Sequence, residues 1–242
     1  MPRRRADLVL VERGFFDSRA RAQAAIGAGL VTADGVPVRK SSDLLEEGAT
    51  IHAEVPHPWV SRGGVKLAAA LDAFQIEPAG LVCLDLGAST GGFTEVLLSR
   101  GAARVYAVDV GRGQLHPTLA GDPRVVSLEG TDARRLDAAL IGEPVGLLTA
   151  DVSFISLKLV LPPVLPLLQP GARLVALIKP QFEAGPAQVR KGVVRDAAVH
   201  QAVCDGIVAF MASLGFTILG VIPSPIAGGD GNREFLLGAL RG

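Results

Sequence analysis

Cysteine is scarce in this sequence of 242 residues, and the two that occur form no pattern. Cys83 lies in an apolar run and Cys204 in a predicted helix, so we expect neither a disulfide framework nor a thiolate metal site. The four histidines are scattered along the chain and do not have the grouping of metal ligands. The sequence therefore predicts no bound metal ion.

The chain also lacks a net charge, because 24 basic side chains balance 24 acidic ones. No field of one sign extends over the whole protein to draw it toward nucleic acid. The balance fails locally, since residues 1–40 hold eight basic and four acidic side chains. A basic end on an otherwise neutral chain predicts a module that binds a polyanion.

Long unbroken hydrophobic runs are absent, although 49% of the residues are hydrophobic. The most apolar stretch, residues 147–178, is interrupted by Asp151, Lys158 and five prolines or glycines, so we do not expect it to span a membrane. No apolar core of a signal peptide lies near the start. The composition predicts a cytoplasmic protein with a sizeable buried core.

The stretch from Leu81 to Glu95, LVCLDLGASTGGFTE, organises the rest of the chain. An apolar run that carries one acid, Asp85, precedes a glycine-rich turn, and a helical pattern follows from Phe93. This order of strand, turn and helix is typical of a nucleotide-binding α/β sheet. Ligands of such sheets bind beyond the carboxyl ends of the strands, so we expect Asp85 and the turn to face the site. Glycine would let the backbone come close to the ligand.

The spacing of the glycines argues against a dinucleotide. Gly87, Gly91 and Gly92 read G-x-x-x-G-G, whereas the dinucleotide fingerprint is G-x-G-x-x-G. The next predicted strand leads to Asp109, where an acid can bind the two hydroxyls of a ribose. This combination resembles the S-adenosylmethionine site of class I methyltransferases, which implies S-adenosylmethionine as the cofactor. A glycine-rich turn in an α/β domain without a ligand is the alternative for this stretch alone.

Residues 1–55 predict a small α+β module. Two helices, from Ala6 to Arg13 and from Arg19 to Gly27, precede a tight hairpin with Asp-Gly at its tip. On the second helix we expect Ala20, Ala24 and Ile26 to face inward. Two helices and a small sheet in about 55 residues are marginal for an independent fold, but possible.

This module resembles the small RNA-binding domain first described in a ribosomal protein of the small subunit and shared with pseudouridine synthases and tyrosyl-tRNA synthetases. The resemblance rests on the segments RADLVL, SRARAQ, AGLV and DGVPV. In that family, basic residues around the second helix and the hairpin contact the RNA backbone. The resemblance implies this role for Arg5, Arg19, Arg21, Arg39 and Lys40. A solvated basic helix face is the alternative.

Residues 56–62 predict a short, stiff linker, because proline restricts the chain to extended conformations. The linker contains the only tryptophan, Trp59, which either docks between the domains or stacks on a base. A second domain, residues 63–242, begins with a helix that carries Lys66 in its first turn. A cation at that position is unfavourable because it opposes the helix dipole. This argues against the interpretation of Lys66 as an ordinary surface lysine.

Seven predicted strands with interleaved helices fill the second domain, at 81–86, 104–108, 125–128, 146–150, 173–178, 217–222 and 234–239. Their order predicts a doubly wound, Rossmann-like α/β sheet that ends in an antiparallel hairpin. Asp132 follows the third strand, and the resemblance to class I methyltransferases implies that it contacts the adenine amino group. The cofactor residues that this resemblance implies are Asp85, Gly87, Ser89, Gly91, Gly92, Phe93, Asp109, Asp132 and Asp151.

Four charged residues lie at predicted element ends that meet at one edge of the sheet: Lys66, Asp151, Lys179 and Glu234. Two lysines and two carboxylates in one pocket balance each other, which matters because an unpaired buried charge is costly. A partly desolvated lysine beside a second cation gives up its proton more readily and becomes a usable base. A surface ion pair is the alternative for any one of the four alone.

These residues match the K-D-K-E tetrad of FtsJ-like RNA ribose 2′-O-methyltransferases. With the N-terminal module, the chain is similar to the TlyA (hemolysin A) family of ribosomal RNA cytidine 2′-O-methyltransferases. The segments that carry the resemblance are SRGGVKL, DLGASTGGFT, DVSFISL, KPQFEAG and SPIAGGDGNREFL. The resemblance implies that Lys179 is the base, that the other three residues hold and tune it, and that the partner is ribosomal RNA or a ribosomal subunit. Asp132 stands where the family commonly has Asn.

Three other interpretations stay open. The hemolysin name invites an RNA-binding or membrane-active protein with a degenerate methyltransferase fold, although no amphipathic or spanning segment supports it. A protein or base methyltransferase is the second, but neither an Asn-Pro-Pro-Tyr-like motif nor a catalytic cysteine follows the fourth strand. A metal site from Asp109, Asp132 and Asp151 is weak because no histidine or cysteine joins them. We expect no membrane, metal or protein partner.

Overall fold

The computed structural model describes residues 3–54, 57–228 and 231–242. The chain forms two compact units, Met1–Pro58 and Trp59–Gly242, and each has a hydrophobic core of its own. Six residues of predicted segments lie outside the described ranges: Met1, Pro2 and Val55 of the N-terminal module, Pro56 at the start of the linker, and Gly229 and Asp230 in the loop before the last strand.

The first unit packs two helices against two small sheets. Its elements are β1 (Arg3–Arg5), α1 (Ala6–Glu12), α2 (Arg19–Gly27), β2 (Val31–Ala33), β3 (Val36–Pro37), β4 (Leu44–Glu46) and β5 (Ile51–Ala53). Strand β1 pairs with β4, and β2 lies between β3 and β5. Buried Leu10, Ile26 and Val31 join the helices to the sheets. The small α+β module predicted from the sequence is confirmed.

Two details of this unit differ from the prediction. Arg3–Arg5 form a strand, which was not predicted from three consecutive arginines. Pairing with β4 stabilises this strand. On α2, Ala22 and Ala25 are buried, whereas Ala20 and Ala24 are exposed. The predicted inward face was wrong for these two alanines, because an alanine-rich helix offers the same apolar spacing on more than one face.

The second unit alternates helices with strands. Its elements are α3 (Gly63–Phe74), β6 (Val82–Leu86), α4 (Gly92–Ser99), β7 (Arg104–Asp109), α5 (Pro117–Ala120), β8 (Val125–Glu129), α6 (Ala138–Ile141), β9 (Val145–Ala150), α7 (Leu157–Val164), β10 (Leu168–Ile178), α8 (Pro180–Glu183), α9 (Ala197–Ser213), β11 (Phe216–Pro223) and β12 (Phe235–Arg241). Helix α7 contains Pro162 and Pro163 and gives way to a 3₁₀ turn at Leu165–Leu167. The internal prolines account for the short, irregular form of this helix, because proline removes a backbone hydrogen bond and clashes with the preceding turn.

Within the described residues, the strands of the second unit form one seven-stranded sheet in the order β11-β12-β10-β9-β6-β7-β8. Strands β6 to β10 are parallel, and β12 runs antiparallel to both β10 and β11. The chain proceeds from β6 to β8 on one side and returns to β9 on the other side of β6. The topological switch point, where such sheets bind ligands, therefore lies between β6 and β9.

Helices cover both faces of the sheet. Cys83 packs with Leu67 of α3 on one face, and Leu84 packs with Leu161 of α7 on the other. Burial on both faces explains why the parallel strands read as continuous apolar runs. Among the described residues, no helix is both long and apolar enough to cross a membrane.

Candidate active site

A cleft of about 490 Å³ opens at the carboxyl ends of the parallel strands, beside the switch point. Its walls bring together five of the cofactor residues predicted from the sequence: Gly87, Ser89, Asp109, Asp132 and Asp151. Gly87 and Ser89 lie in the turn after β6, and Asp109 is the last residue of β7. Asp132 follows β8, and Asp151 follows β9. The volume lies in the usual range for a site that binds a small molecule.

Asp109, the last residue of β7, is fixed at the wall by two backbone N–H groups. Its Oδ2 accepts a hydrogen bond from Ser89 (2.8 Å), and its Oδ1 accepts one from Gly111 (2.7 Å). Ser89 has a φ of 47°, in the left-handed region that few non-glycine residues adopt. Each carboxylate oxygen has a second lone pair, so Asp109 can still accept hydrogen bonds from the hydroxyls of a ligand.

Asp132 forms a two-pronged ion pair with Arg134. The Nε atom of Arg134 lies 3.0 Å from Oδ1, and Nη2 lies 2.6 Å from Oδ2. These hydrogen bonds lower the pKa of Asp132 to about 2. Arg134 also lines the cleft, so an adenine amino group would have to share the carboxylate with it.

The glycines of the turn are required mainly by the close approach of the protein's own chain. Gly87 has a φ of 81°, and a Cβ there would lie 2.5 Å from the carbonyl oxygen of Asp151. A Cβ at Gly92 would overlap Ser61, and one at Gly91 would overlap a leucine of α5. Neither Gly91 nor Gly92 lines the cleft, which differs from the expectation that both contact the cofactor.

Asp85 and Phe93 do not reach the cleft either. Phe93 is buried in the core on one face of the sheet. The carboxylate of Asp85 has no solvent exposure and accepts hydrogen bonds from the hydroxyls of Thr94 (2.7 Å) and Thr149 (3.0 Å). Burial raises the pKa of Asp85 to about 7 against these hydrogen bonds, and the negative charge of Asp151 contributes to the rise. Asp85 therefore joins α4 to β9, which corrects the expectation that its side chain faces the site.

Lys66 and Glu234 form a buried ion pair. The Nζ atom of Lys66 lies 2.6 Å from Oε2 of Glu234, and the two residues are 8% and 4% exposed. Lys66 comes from α3, which packs against β12. A Cβ at Gly228 would overlap the Glu234 carboxylate, so the loop before β12 leaves room for this side chain.

Lys179 and Asp151 form the second pair of the predicted tetrad. The Nζ atom of Lys179 lies 2.6 Å from Oδ1 of Asp151 and donates a hydrogen bond to the hydroxyl of Ser153 (2.8 Å). Lys179 is 8% exposed, whereas Asp151 also lines the cleft. Asp151 therefore connects the candidate cofactor site to the lysine.

Strand register brings the two pairs to the same edge of the sheet. Ile178 of β10 pairs with Phe235 of β12, so Lys179 and Glu234 are the next residues of neighbouring antiparallel strands. Asp151 directly follows β9, which is parallel to β10 and ends at the same edge. Two lysines and two carboxylates thus lie around one edge, each lysine in contact with a carboxylate.

An exposed aromatic residue beside Lys179 was missed from the sequence. Phe154 is 90% exposed, lines the cleft and has a φ of 63°. Its ring centroid lies 5.0 Å from that of Phe182, and the Nζ atom of Lys179 lies 6.0 Å from the Phe182 centroid. The signal in the sequence was an aromatic residue, Phe154, in the loop that follows β9. A strained backbone that holds such a side chain in solvent is typical of functional sites.

The cations predicted to bind RNA differ in their surroundings. Arg5 and Arg19 both contact the buried carboxylate of Asp7. Arg21 forms an exposed pair with Asp17, 2.8 Å long. The side chains of Arg39 and Lys40 are exposed, while the backbone N–H groups of both residues donate to Asp43.

Trp59 of the predicted linker packs within the second unit. Its side chain occupies the space that a Cβ at Gly64 of α3 would need.

Among the described residues, no group of three or more histidine, cysteine, aspartate or glutamate side chains could hold a metal ion. In the arrangement seen here, Asp109 binds backbone N–H groups, Asp132 binds Arg134, and Asp151 contacts Lys179.

Comparisons with known proteins cover both units. Residues 59–241 match the family described as FtsJ-like methyltransferase, and residues 4–51 match the S4 domain. The 16S/23S rRNA (cytidine-2′-O)-methyltransferase TlyA of Mycobacterium tuberculosis is 48% identical over 238 residues, which are 97% of this chain and 89% of that protein.

Two further relatives carry a different kind of name. Hemolysin A of Brachyspira hyodysenteriae is 37% identical over 96% of this chain and 98% of that protein. A solved structure described as a hemolysin candidate from Streptococcus thermophilus is 40% identical, covers 100% of this chain and 89% of that one, and has a TM-score of 0.78. The relatives are thus named either for RNA methylation or for hemolysis.

Proposed function

The chain belongs to the FtsJ-like methyltransferase family, with an S4 domain before the methyltransferase domain, and from this premise we propose that it methylates the ribose 2′-hydroxyl of a cytidine in ribosomal RNA. The observation that carries the proposal is the contact of Lys179 with Asp151, since Asp151 also lines the cleft. A potential base and a small-molecule site therefore share one residue. The proposed location is the cytoplasm, where ribosomal subunits are.

We propose S-adenosylmethionine as the occupant of the cleft. Asp109 would bind the ribose hydroxyls and Asp132 the adenine amino group, while Gly87 and Asp151 would form the wall near the reacting end. These donors and acceptors suit an adenosine, and the carboxylates suit a ligand with a positive charge. When bound, S-adenosylmethionine supplies an electrophilic methyl group.

Lys179 is the proposed base. In its neutral form, Nζ would accept the proton of the ribose 2′-hydroxyl as the hydroxyl oxygen bonds to the methyl carbon and the bond from that carbon to the sulfonium sulfur breaks, with S-adenosylhomocysteine as the leaving group. The ammonium group that forms would be stabilised by the carboxylate of Asp151 at 2.6 Å and by the hydroxyl of Ser153. The pair of Lys66 and Glu234 would keep the edge of the sheet electrically balanced and dry.

We propose that Phe154 receives the base of the target nucleotide. A base that is turned out of its helix needs a flat apolar partner, and stacking on an aromatic side chain stabilises it by about 1–3 kcal/mol. Phe154 presents an exposed ring that contacts Phe182, and Phe182 in turn lies 6.0 Å from the Nζ atom of Lys179. This arrangement would hold the ribose of the same nucleotide close to the base Lys179.

The N-terminal unit would bind the substrate RNA through the five cations named above. Phosphate contacts of this kind position a nucleic acid without reading its sequence. The alternative, a membrane-active or RNA-binding protein with a degenerate methyltransferase fold, would not require two buried ion pairs or an open cleft. Both features are intact, and they support the enzyme.

The decisive experiment maps ribose methylation of ribosomal subunits by mass spectrometry after incubation with the protein and S-adenosylmethionine. Lys179→Ala should retain cofactor affinity but lose on the order of 10²–10⁴ in rate, the usual contribution of a positioned base. Lys179→Arg should be as slow, because a guanidinium group does not give up its proton near neutral pH. Lys158→Ala, which changes an exposed lysine on α7, is the matched control and should react normally.

Single-turnover rates at increasing pH make the test specific for a base. The wild-type rate should rise with pH, as expected of a reaction that needs a deprotonated base, and both variants should lack this rise. A near-normal rate for Lys179→Arg would show that only the positive charge matters. Absence of any ribose methylation by the wild-type protein would refute the proposed reaction itself.

A further inference from the structure

A carboxylate is completely buried in the N-terminal unit, in contact with two partly exposed arginines. Asp7, the second residue of α1, has no solvent exposure. Its Oδ1 accepts a hydrogen bond from Nε of Arg5 (3.0 Å), and its Oδ2 accepts bonds from Nη2 of Arg5 (3.1 Å), Nη2 of Arg19 (2.8 Å) and Nε2 of Gln23 (2.9 Å). One carboxylate therefore holds the end of β1, the first turn of α2 and the next turn of α2 together.

The side chains of both arginines are partly exposed to solvent. The side chains of Arg5 and Arg19 are 44% and 54% exposed, whereas that of Asp7 is 0% exposed. A guanidinium group has five N–H donors in a rigid fork. Asp7 uses two donors of Arg5 and one of Arg19, so the remaining donors of both groups are not bound to Asp7.

The charges of this cluster do not cancel. Two guanidinium groups share one carboxylate, which leaves one positive charge at the surface. The neighbouring arginines behave differently, because Arg3, Arg4 and Arg21 each pair with one exposed carboxylate. A cluster that only held the fold together would need no second cation. An excess positive charge on partly exposed, immobilised guanidinium groups is complementary to an anion with several acceptor oxygens.

We propose that Asp7 is a positioning residue that fixes Arg5 and Arg19 as a two-pronged site for one backbone phosphate of the RNA substrate. The proposal rests on the proposed function, which supplies the RNA. Guanidinium groups bind phosphate oxygens in pairs, and groups that are already immobilised lose less conformational entropy on binding. Asp7 itself does not touch the RNA in this arrangement and acts through the two arginines.

The test compares two substitutions on α1 that remove the same charge. Asp7→Asn eliminates the buried carboxylate, and Glu12→Gln eliminates an exposed one that pairs with Arg4. Simple electrostatics predicts that both variants bind RNA more tightly, because both become more positive. If Asp7 positions the arginines, Glu12→Gln should bind as tightly as wild type or more tightly. Asp7→Asn should bind at least about tenfold more weakly, since it loses hydrogen bonds between charged groups.

Binding is measured on the full-length protein with purified ribosomal subunits at several salt concentrations. For Asp7→Asn we also expect the log–log salt slope to fall by about one for each lost phosphate contact. Circular dichroism and cofactor affinity by calorimetry check each variant. Equal or tighter binding by Asp7→Asn would overturn the proposal and leave Asp7 as a structural counter-charge.

A second substitution decides the question if Asp7→Asn does not fold. Arg19→Lys keeps the charge and can still contact Asp7, but it lacks the planar fork. It should bind subunits at least several-fold more weakly with little change in thermal stability, and wild-type affinity would overturn the proposal. If wild-type protein methylates subunits while these variants bind normally, only the positioning role fails. If wild-type protein neither binds nor methylates subunits, the proposed function fails.

Discussion

The contribution of the Lys66–Glu234 ion pair to stability can be measured separately from its contribution to catalysis. Lys66→Met removes the cation but keeps a side chain of similar length, so Glu234, which is 4% exposed, becomes an uncompensated buried charge. Breaking a buried pair in this way costs about 3–5 kcal/mol in the free energy of unfolding. The exposed pair of Arg100 and Asp72 is the control, and Arg100→Met should cost about 1 kcal/mol or less.

The double variant Lys66→Met/Glu234→Gln removes both charges and should regain most of the lost stability. Replacing a whole buried pair by residues of similar volume is often neutral or stabilising. The reaction, however, should stay impaired, because the proposed site needs both charges at the edge of the sheet. Urea unfolding measures the stability, and single-turnover methylation of ribosomal subunits measures the rate.

Two outcomes would refute this reasoning. A cost of less than about 1 kcal/mol for Lys66→Met, equal to that of Arg100→Met, would mean that solvent reaches Glu234 and screens it. A double variant with wild-type rate would mean that the pair only supports the fold. Recovery of stability without recovery of rate is the result that the structure predicts.

Two predictions concern the carboxylates of the strand ends. The folded pKa of Asp85, about 7, lies above its ordinary value of 3.8, so its ionisation should lower the free energy of unfolding as pH rises from about 4 to 7. Asp85→Asn should remove this dependence in urea unfolding at pH 5 and pH 8, and an unchanged slope would exclude Asp85 as its source. Asp109→Ala should weaken S-adenosylmethionine binding by about 1.5–3 kcal/mol in calorimetry, and unchanged affinity would remove Asp109 from the cofactor site.

The positions of the cleft residues could be predicted because they depend on chain direction. Asp109 ends a parallel strand, Asp132 and Asp151 follow one, and parallel strands end at the same edge. Glu234 precedes its strand, but β12 is antiparallel and therefore starts where β10 ends. Alternating strands and helices thus sufficed to bring distant residues together, and the tetrad could be recognised from its place in the chain.

The side-chain environments could not be predicted in the same way. Nothing in the sequence says that Asp85 binds two threonine hydroxyls, because Thr149 comes from a strand 64 residues later. The pattern of glycines suggested a ligand, whereas Gly92 makes room for Ser61. The exposed position of the Phe154 ring depends on a left-handed backbone conformation, which cannot be predicted from the sequence pattern. These features arise from tertiary packing, which periodicity does not encode.

The place of β12 has a consequence for how the protein is made. This strand is the last element of the chain, yet it lies inside the sheet, between β10 and β11. β10 and β11 cannot be joined before Phe235–Arg241 have left the ribosome, so the edge of β10 stays open until β12 is available. A stop codon as late as position 235 would remove an interior strand together with the support of Glu234. For this fold, truncation before β12 would therefore separate β10 from β11 in the sheet that carries the site.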